Sequence, residues 1–299
     1  MLPATSSGLS RLLSEKMISE KAIESVLLNS QFPIPEKLFD AVFNKFSIKR
    51  IKETLPLIPL AEYRSRIVDI GCYAPMISLY HELLGYREVI AISNYDWTLL
   101  SEKNVLGRKK NLKLQIVIEN VEQKKLPIES ESVDVVLLLE VLEHFSRDPF
   151  FVLSEINRVL KTDGFLVLST PNCISSSCFF SYLLGKNPFP EPYNGIDGNR
   201  HNRLYSPKEI FDLASAAGFS VERIITTSFP RRLGSSLANY FVKLIDNLLF
   251  YRKKKFSILR GDIIQARLRK TGPVINRFPD WLYISRSIWQ EWYQYMDKL

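Results

Sequence analysis

The sequence predicts an α/β protein whose parallel sheet is covered by helices on both faces. Short apolar runs of strand length alternate with segments of helical periodicity, the pattern of a sheet buried on two sides. The first run, Arg66 to Ile70, ends in Asp69-Ile-Gly-Cys-Tyr-Ala-Pro75, a strand-to-helix turn of the kind where such sheets bind ligands. The helical stretch Pro149–Leu160 stops at Lys161-Thr-Asp-Gly164 and a strand follows at once, with glycine at the expected helix end.

Residues 1–60 read as an N-terminal helical cap. Leu9, Leu12, Leu13 and Met17, then Ile23, Val26 and Leu27, recur at helical spacing, and Pro35 opens a second helix through Lys52. The core spans 61–226. After the first strand it runs through a helix at Pro75–Leu84, a strand at Glu88–Ile92, a helix at Asp96–Asn104, and strands at Leu112–Ile118 and Val133–Leu139. The helix at 149–160 and a strand at Phe165–Ser169 come next, and then a long polar loop from Thr170 to Tyr205. A loop of that length serves as a lid or binding segment. Ser206-Pro-Lys-Glu209 carries the serine cap, first-turn proline and early glutamate of a helix start. That helix stops at Gly218, and a strand is expected over Phe219–Ile225. Residues 227–260 form a basic insertion, and 261–299 hold a closing strand, Asp262–Leu268, and an aromatic tail.

The composition, 46% hydrophobic and 24% charged over 299 residues, is that of a soluble globular protein. Charges interrupt every apolar run near the N-terminus, so no signal peptide is expected there, and no uncharged run approaches a membrane span. Cys72, Cys173 and Cys178 make no CxxC pair and the histidines number three. These counts point away from zinc and disulfides and towards a reducing cytoplasm. Of the net charge of +8, residues 231–270 account for +9, eleven basic residues against Asp246 and Asp262.

Asp69-Ile-Gly-Cys72, Ser132-Val-Asp-Val-Val-Leu-Leu-Leu-Glu-Val-Leu-Glu-His144, Glu155-Ile-Asn-Arg-Val-Leu-Lys-Thr-Asp-Gly164 and Leu168-Ser-Thr-Pro-Asn172 occur in that order. Together they resemble the class I S-adenosylmethionine-dependent methyltransferases, in the branch with Glu-x-x-Glu-His after the fourth strand. The resemblance covers roughly residues 66–225. It implies a Rossmann-like sheet of seven strands with the last one antiparallel and inserted beside the sixth. It also implies S-adenosylmethionine as cofactor and methyl transfer as the reaction.

For the cofactor, the resemblance implies Asp69, Gly71 and Tyr73 at the first strand end, Ser93 and Asn94 at the second, Asn120 and Val121 at the third, and Glu140 at the fourth. Three features depart from the family pattern: the loop glycines, the ribose acid and the adenine acid. Tyr73 and Pro75 replace loop glycines, and Asn94 and Asn120 stand where acids facing the ribose and adenine are usual. Amides still hydrogen-bond those groups, without charge assistance. Tyrosine at positive φ is costly, so the loop is expected to take another route. Two readings stay open: a variant working site, or a degenerate methyltransferase fold serving as a binding or scaffold subunit. A nicotinamide site would want G-x-G-x-x-G and finds one glycine of three.

Glu140, Glu143 and His144 share one face of a helical turn by spacing. Glu140 holding the cofactor and Glu143-His144 fixing the turn is the favoured reading, with no metal assigned. The alternative joins His201 to them in a divalent-metal site. His144 and His201 are the candidate general bases for a hydroxyl acceptor. Arg200, Arg203 and Tyr205 are candidate clamps for an anionic or sugar acceptor. The expected reaction is O-methylation of a small-molecule, sugar or lipid-linked acceptor. Residues 237–255 join an apolar helix to Arg252-Lys-Lys-Lys255, which suits a peripheral membrane contact, a dimer contact or plain packing on the domain. Nothing there resembles a nucleic-acid-binding module.

Overall fold

The computed structural model describes residues 18–30, 43–62, 65–93, 111–188, 200–228, 259–275 and 278–282. The sequence readings at Asn94, over 96–104, at 237–255 and in the tail beyond 282 lie outside those residues.

Seven strands form one sheet: β1 (Arg66–Ile70), β2 (Glu88–Ser93), β3 (Lys113–Ile118), β4 (Val133–Leu139), β5 (Leu160–Pro171), β6 (Phe219–Thr227) and β7 (Ile263–Lys270). Their order is β3-β2-β1-β4-β5-β7-β6. β1 to β5 pair in parallel, and β7 runs antiparallel between β5 and β6. The expected seven-stranded Rossmann-like architecture is present. All the parallel strands present their C-terminal ends at one edge, where the turns after β1 and β4 meet.

Strand side chains alternate between faces, so the core divides in two. Val68, Ile70, Val136 and Leu138 pack with Val152, Ile156, Ile210 and Leu213 on one face. These belong to α4 (Pro149–Val159) and α6 (Pro207–Ala216). Ile67, Val135, Leu137 and Val167 face the other way. There they meet α3 (Met76–Glu82) together with α1 (Glu20–Leu28) and α2 (Lys45–Thr54) of the cap, through Ile77, Ile23, Leu27, Ile48 and Ile51. The cap helices thus pack as a layer on the sheet, and α5 (Ser176–Leu183) follows β5.

Local signals mostly act as expected. Ser206 and Glu209 form a full capping box, and Gly218 takes φ +82 after α6. At 161–164 the details differ. The left-handed residue is Asp163, at φ +65, and pairing skips from Val133↔Leu160 to Val135↔Phe165, so this turn bulges from the strand itself. Gly164 is needed for space, because a Cβ there would lie 2.9 Å from the Lys161 carbonyl oxygen and 3.1 Å from that of Asp134. The turn after β4 also differs from expectation. Only Leu142–His144 is helical, a single 3₁₀ turn, and Glu140 precedes it at φ +57, so Glu140 does not share a helical face with Glu143 and His144.

Candidate active site

Two cavities open at the C-terminal edge of the sheet and meet at Gly71 and Glu140, which line both. The smaller, about 120 Å³, lies under the cap. Phe43, Arg50 and Thr54 form one wall, and Asp69, Tyr73, Tyr80 and Ser169 the other. The larger, about 630 Å³, runs along the ends of β2, β3 and β4. Ser93, Glu119, Asn120, Val121, Val141, His144, Arg200 and Asn202 line it.

Gly71 is the hinge between them. Its φ is +75, and a Cβ on it would collide with the Val141 side chain, so only bare backbone fits there. Its N–H and that of Cys72 both donate to the Ile92 carbonyl, at 2.8 and 3.2 Å, which ties the turn to the end of β2. Tyr73 stays out of the positive-φ region, as expected, and its ring packs at 5.6 Å from that of Phe43.

The small cavity is ionic at both ends. Asp69 is buried and accepts a 2.8 Å hydrogen bond from the Tyr80 hydroxyl. Burial pushes its carboxyl up to about 6, held back by bonds from Tyr80 and Cys72. Glu140 accepts from Arg50 Nη1 at 2.7 Å through Oε2. Its other oxygen, Oε1, is buried with no hydrogen-bond partner. An uncommon backbone conformation and an unpaired carboxylate oxygen coincide at one residue, a combination typical of a site held ready for a ligand.

His144 lies on the wall of the larger cavity. Its Nδ1 is 3.1 Å from the Arg200 carbonyl, which can only accept, so Nδ1 carries the proton and Nε2 keeps its lone pair. Burial lowers its basicity, against the Arg200 bond and the Glu140 charge, so the ring is neutral at pH 7. His201 stands edge-on to it at 4.9 Å between ring centroids, and burial and His144 lower its pKa too. His201 Nδ1 is buried without a partner. Glu143 is almost wholly buried. Burial first, then the Glu140 charge, raise its pKa well above the ordinary carboxylate range. Its Oε2 accepts from Thr170 at 3.0 Å, while Oε1 is unpaired and 3.9 Å from His144 Nε2. Glu143, His144 and His201 each bring one ligand atom into a group spanning 4.8 Å, while Glu140 stands apart from it on Arg50.

The loop carrying the clamp candidates splits. Arg200 reaches the larger cavity. Arg203 instead pairs with Glu209 at 2.6 Å and lies over the rings of Tyr205 and Trp281, and Tyr205 is buried beside Asn172, so neither lines either of these two cavities. Asn202, which sequence reasoning missed, lines the larger cavity. Its N–H donates to the Glu143 carbonyl at 2.7 Å and its amide to the His144 carbonyl at 2.7 Å. Arg50 and Glu119 were missed as well. Arg50 sits in a cap with no motif. Glu119 was legible, as the acid beside Asn120 at the end of β3.

Comparison with known proteins agrees with this geometry. A family model described as a methyltransferase domain matches residues 68–168. A ubiquinone biosynthesis O-methyltransferase of Rickettsia prowazekii is 30% identical over 169 residues, 53% of this chain and 60% of that protein. The chain therefore spans under two thirds of that relative's length. Its counterpart in Pelagibacter ubique is 24% identical over 229 residues, 69% of this chain and 87% of that protein. Among solved structures, geranyl diphosphate C-methyltransferase from Streptomyces coelicolor superposes with a TM-score of 0.50 at 15% identity, over 90% of this chain and all of that one. A methyltransferase from Thermotoga maritima gives the same score at 18% identity, over 83% of this chain and 99% of its own. These two likenesses speak for the fold. Residues 68–168 thus match a methyltransferase-domain model, within a seven-stranded sheet whose strand order is that of the Rossmann-like methyltransferase fold.

Proposed function

We propose that the protein transfers the methyl group of S-adenosylmethionine to a hydroxyl oxygen of a small-molecule, sugar or lipid-linked acceptor. The observation that carries oxygen as the target is His144, a ring of lowered basicity on the wall of the larger cavity whose Nδ1 is engaged by the Arg200 carbonyl, which leaves Nε2 to accept a proton. The O-methyltransferase names of the matched relatives support the same atom.

The residues present fit the donor. The molecule has an adenosine end and an amino-acid end, and the two cavities meet at the bare backbone of Gly71. In the smaller, Asp69 and the unpaired Glu140 Oε1 suit an ammonium, and Arg50 suits a carboxylate. In the larger, Ser93, Glu119, Asn120 and Val121 surround the space for ribose and base, with Asn94 just beyond β2. When bound, the donor supplies a methyl group already activated on a sulfonium. The chain's part is to orient both reactants and to move one proton. His144 Nε2 accepts the acceptor's hydroxyl proton as the O–CH₃ bond forms and the S–CH₃ bond breaks. Arg200 and Asn202 hold the acceptor beside it.

The group of Glu143, His144 and His201 favours a second reading for the same proton, in which a divalent cation held there acidifies the hydroxyl. Peripheral membrane contact through residues 237–255 and a cytoplasmic location belong to the proposal as well. Among the described residues no helix is long and apolar enough to cross a membrane.

The test is calorimetry with S-adenosylhomocysteine, followed by mass spectrometry of hydroxylated acceptors incubated with isotopically labelled donor. Binding that weakens in Asp69→Ala, together with a labelled O-methyl product, supports the reading, and loss of activity in EDTA selects the cation route. An absence of binding sinks it in favour of a scaffold role.

A further inference from the structure

Gln265 lies near the start of β7, between β5 and β6, and is fully buried. A primary amide in a sheet interior is costly unless each of its polar atoms is bonded. Here they are bonded, and to a distant element. Nε2 donates to the Arg50 carbonyl at 3.0 Å and to the Thr54 hydroxyl at 2.6 Å, both in the last turns of α2. Oε1 accepts from the Thr227 hydroxyl at the end of β6. Thr54 in turn donates to the Arg50 carbonyl at 2.8 Å. The residue paired with Gln265 on β5 is Ser169, which lines the small cavity.

These bonds bear on one functional group. Arg50 lines the same cavity and meets Glu140 at 2.7 Å, with its own carbonyl held from behind by Gln265 and Thr54. A leucine or methionine would fill the volume at Gln265 without any polar requirement. The amide instead fixes the rotation and depth of the cap helix at the turn that presents the guanidinium. We infer that Gln265 is a positioning residue for the donor site. It holds Arg50 where it receives the carboxylate of the donor's amino-acid end, and it takes no part in holding the adenosine end. This rests on the cofactor assignment made above.

The consequence is selective, and a general loss of stability would not reproduce it. S-adenosylhomocysteine carries the amino-acid end and 5′-methylthioadenosine lacks it, so the two ligands report on the two cavities separately. In Gln265→Met, confirmed as folded by circular dichroism, the dissociation constant for S-adenosylhomocysteine should rise about tenfold, the scale of one lost buried hydrogen bond. That for 5′-methylthioadenosine should stay within about twofold. In an Arg50→Met background the Gln265 change should add less than about twofold, since both act through one group. Should Gln265→Met fail to fold, Thr54→Val removes one of the same bonds and should show the same selectivity at a smaller amplitude. Equal weakening of both ligands, no weakening of either, or full additivity with Arg50→Met overturns the inference. If the unaltered protein binds neither ligand, the cofactor assignment fails and the inference fails with it. If it binds both and the variants do not discriminate, the inference alone fails.

Discussion

At the β1 end of the site, Glu140 meets the Arg50 guanidinium at 2.7 Å, and Asp69 carries a tyrosine hydroxyl and a carboxyl group poised at about 6. A few residues along the chain, Glu143 sits deeper than Glu140, with a threonine hydroxyl on one oxygen and two neutral histidines nearby. Burial and the Glu140 charge push its pKa well above the ordinary carboxylate range. The first region keeps charge by pairing it, and the second removes charge by desolvation. A zwitterionic donor end needs fixed charges of both signs to bind against. A base that must accept a proton at neutral pH needs the reverse, a pocket where an unprotonated ring is stable.

The contrast is broken most severely at the histidines. His144→Ala should lower kcat by about 10²–10⁴-fold, the range for a lost general base, with the affinity for S-adenosylhomocysteine nearly unchanged. In the unaltered enzyme, kcat should hold its plateau below the ordinary histidine range before an acid limb appears, because burial lowers the His144 pKa. A pH–rate profile checks both, and a kcat loss below about tenfold would mean that His144 is not the base. Gly71→Ala should act on the other side. A side chain there is strained at φ +75 and collides with Val141, together about 3 kcal/mol, or about a hundredfold in donor affinity. Val141→Ala in the same protein should recover the steric part of that loss and leave the backbone part, as calorimetry of the double variant would show.

The two regions were unequally legible in sequence. The strand runs, the Asp69–Gly71 turn and the Glu140–His144 block lie within continuous motifs, and periodicity alone sets the faces of the strands. Arg50 and Gln265 lie 215 residues apart and meet only because β7 inserts beside β5, beneath the cap. No local pattern marks that contact. Arg203 shows a subtler failure. The capping box at Ser206–Glu209 was readable, but the second oxygen of Glu209 takes Arg203 at 2.6 Å, which keeps it off the wall of the larger cavity. Glu140 was misplaced onto a helical face because spacing rules assume helical φ throughout, and its φ is +57.

The smallest effect should come from the group that tunes Asp69. Because its folded pKa of about 6 lies above the 3.8 of an unperturbed aspartate, the unligated protein loses stability as pH rises through that window, by about 3 kcal/mol in all, and the loss is complete above it. Donor binding works in the opposite direction, since an ammonium favours the ionised carboxylate, so affinity should fall and proton release appear as pH drops below about 6. Tyr80→Phe removes the 2.8 Å bond to Asp69 and should raise that pKa by about one unit. Affinity for S-adenosylhomocysteine should then weaken about fivefold at pH 6, about twofold at pH 7 and hardly at pH 8, as the ionised fraction dictates. Calorimetry in buffers of different ionisation enthalpy reads the proton and the affinity together. A weakening independent of pH would mean that Tyr80 shapes the cavity and that Asp69 does not bind the donor as an ionised group.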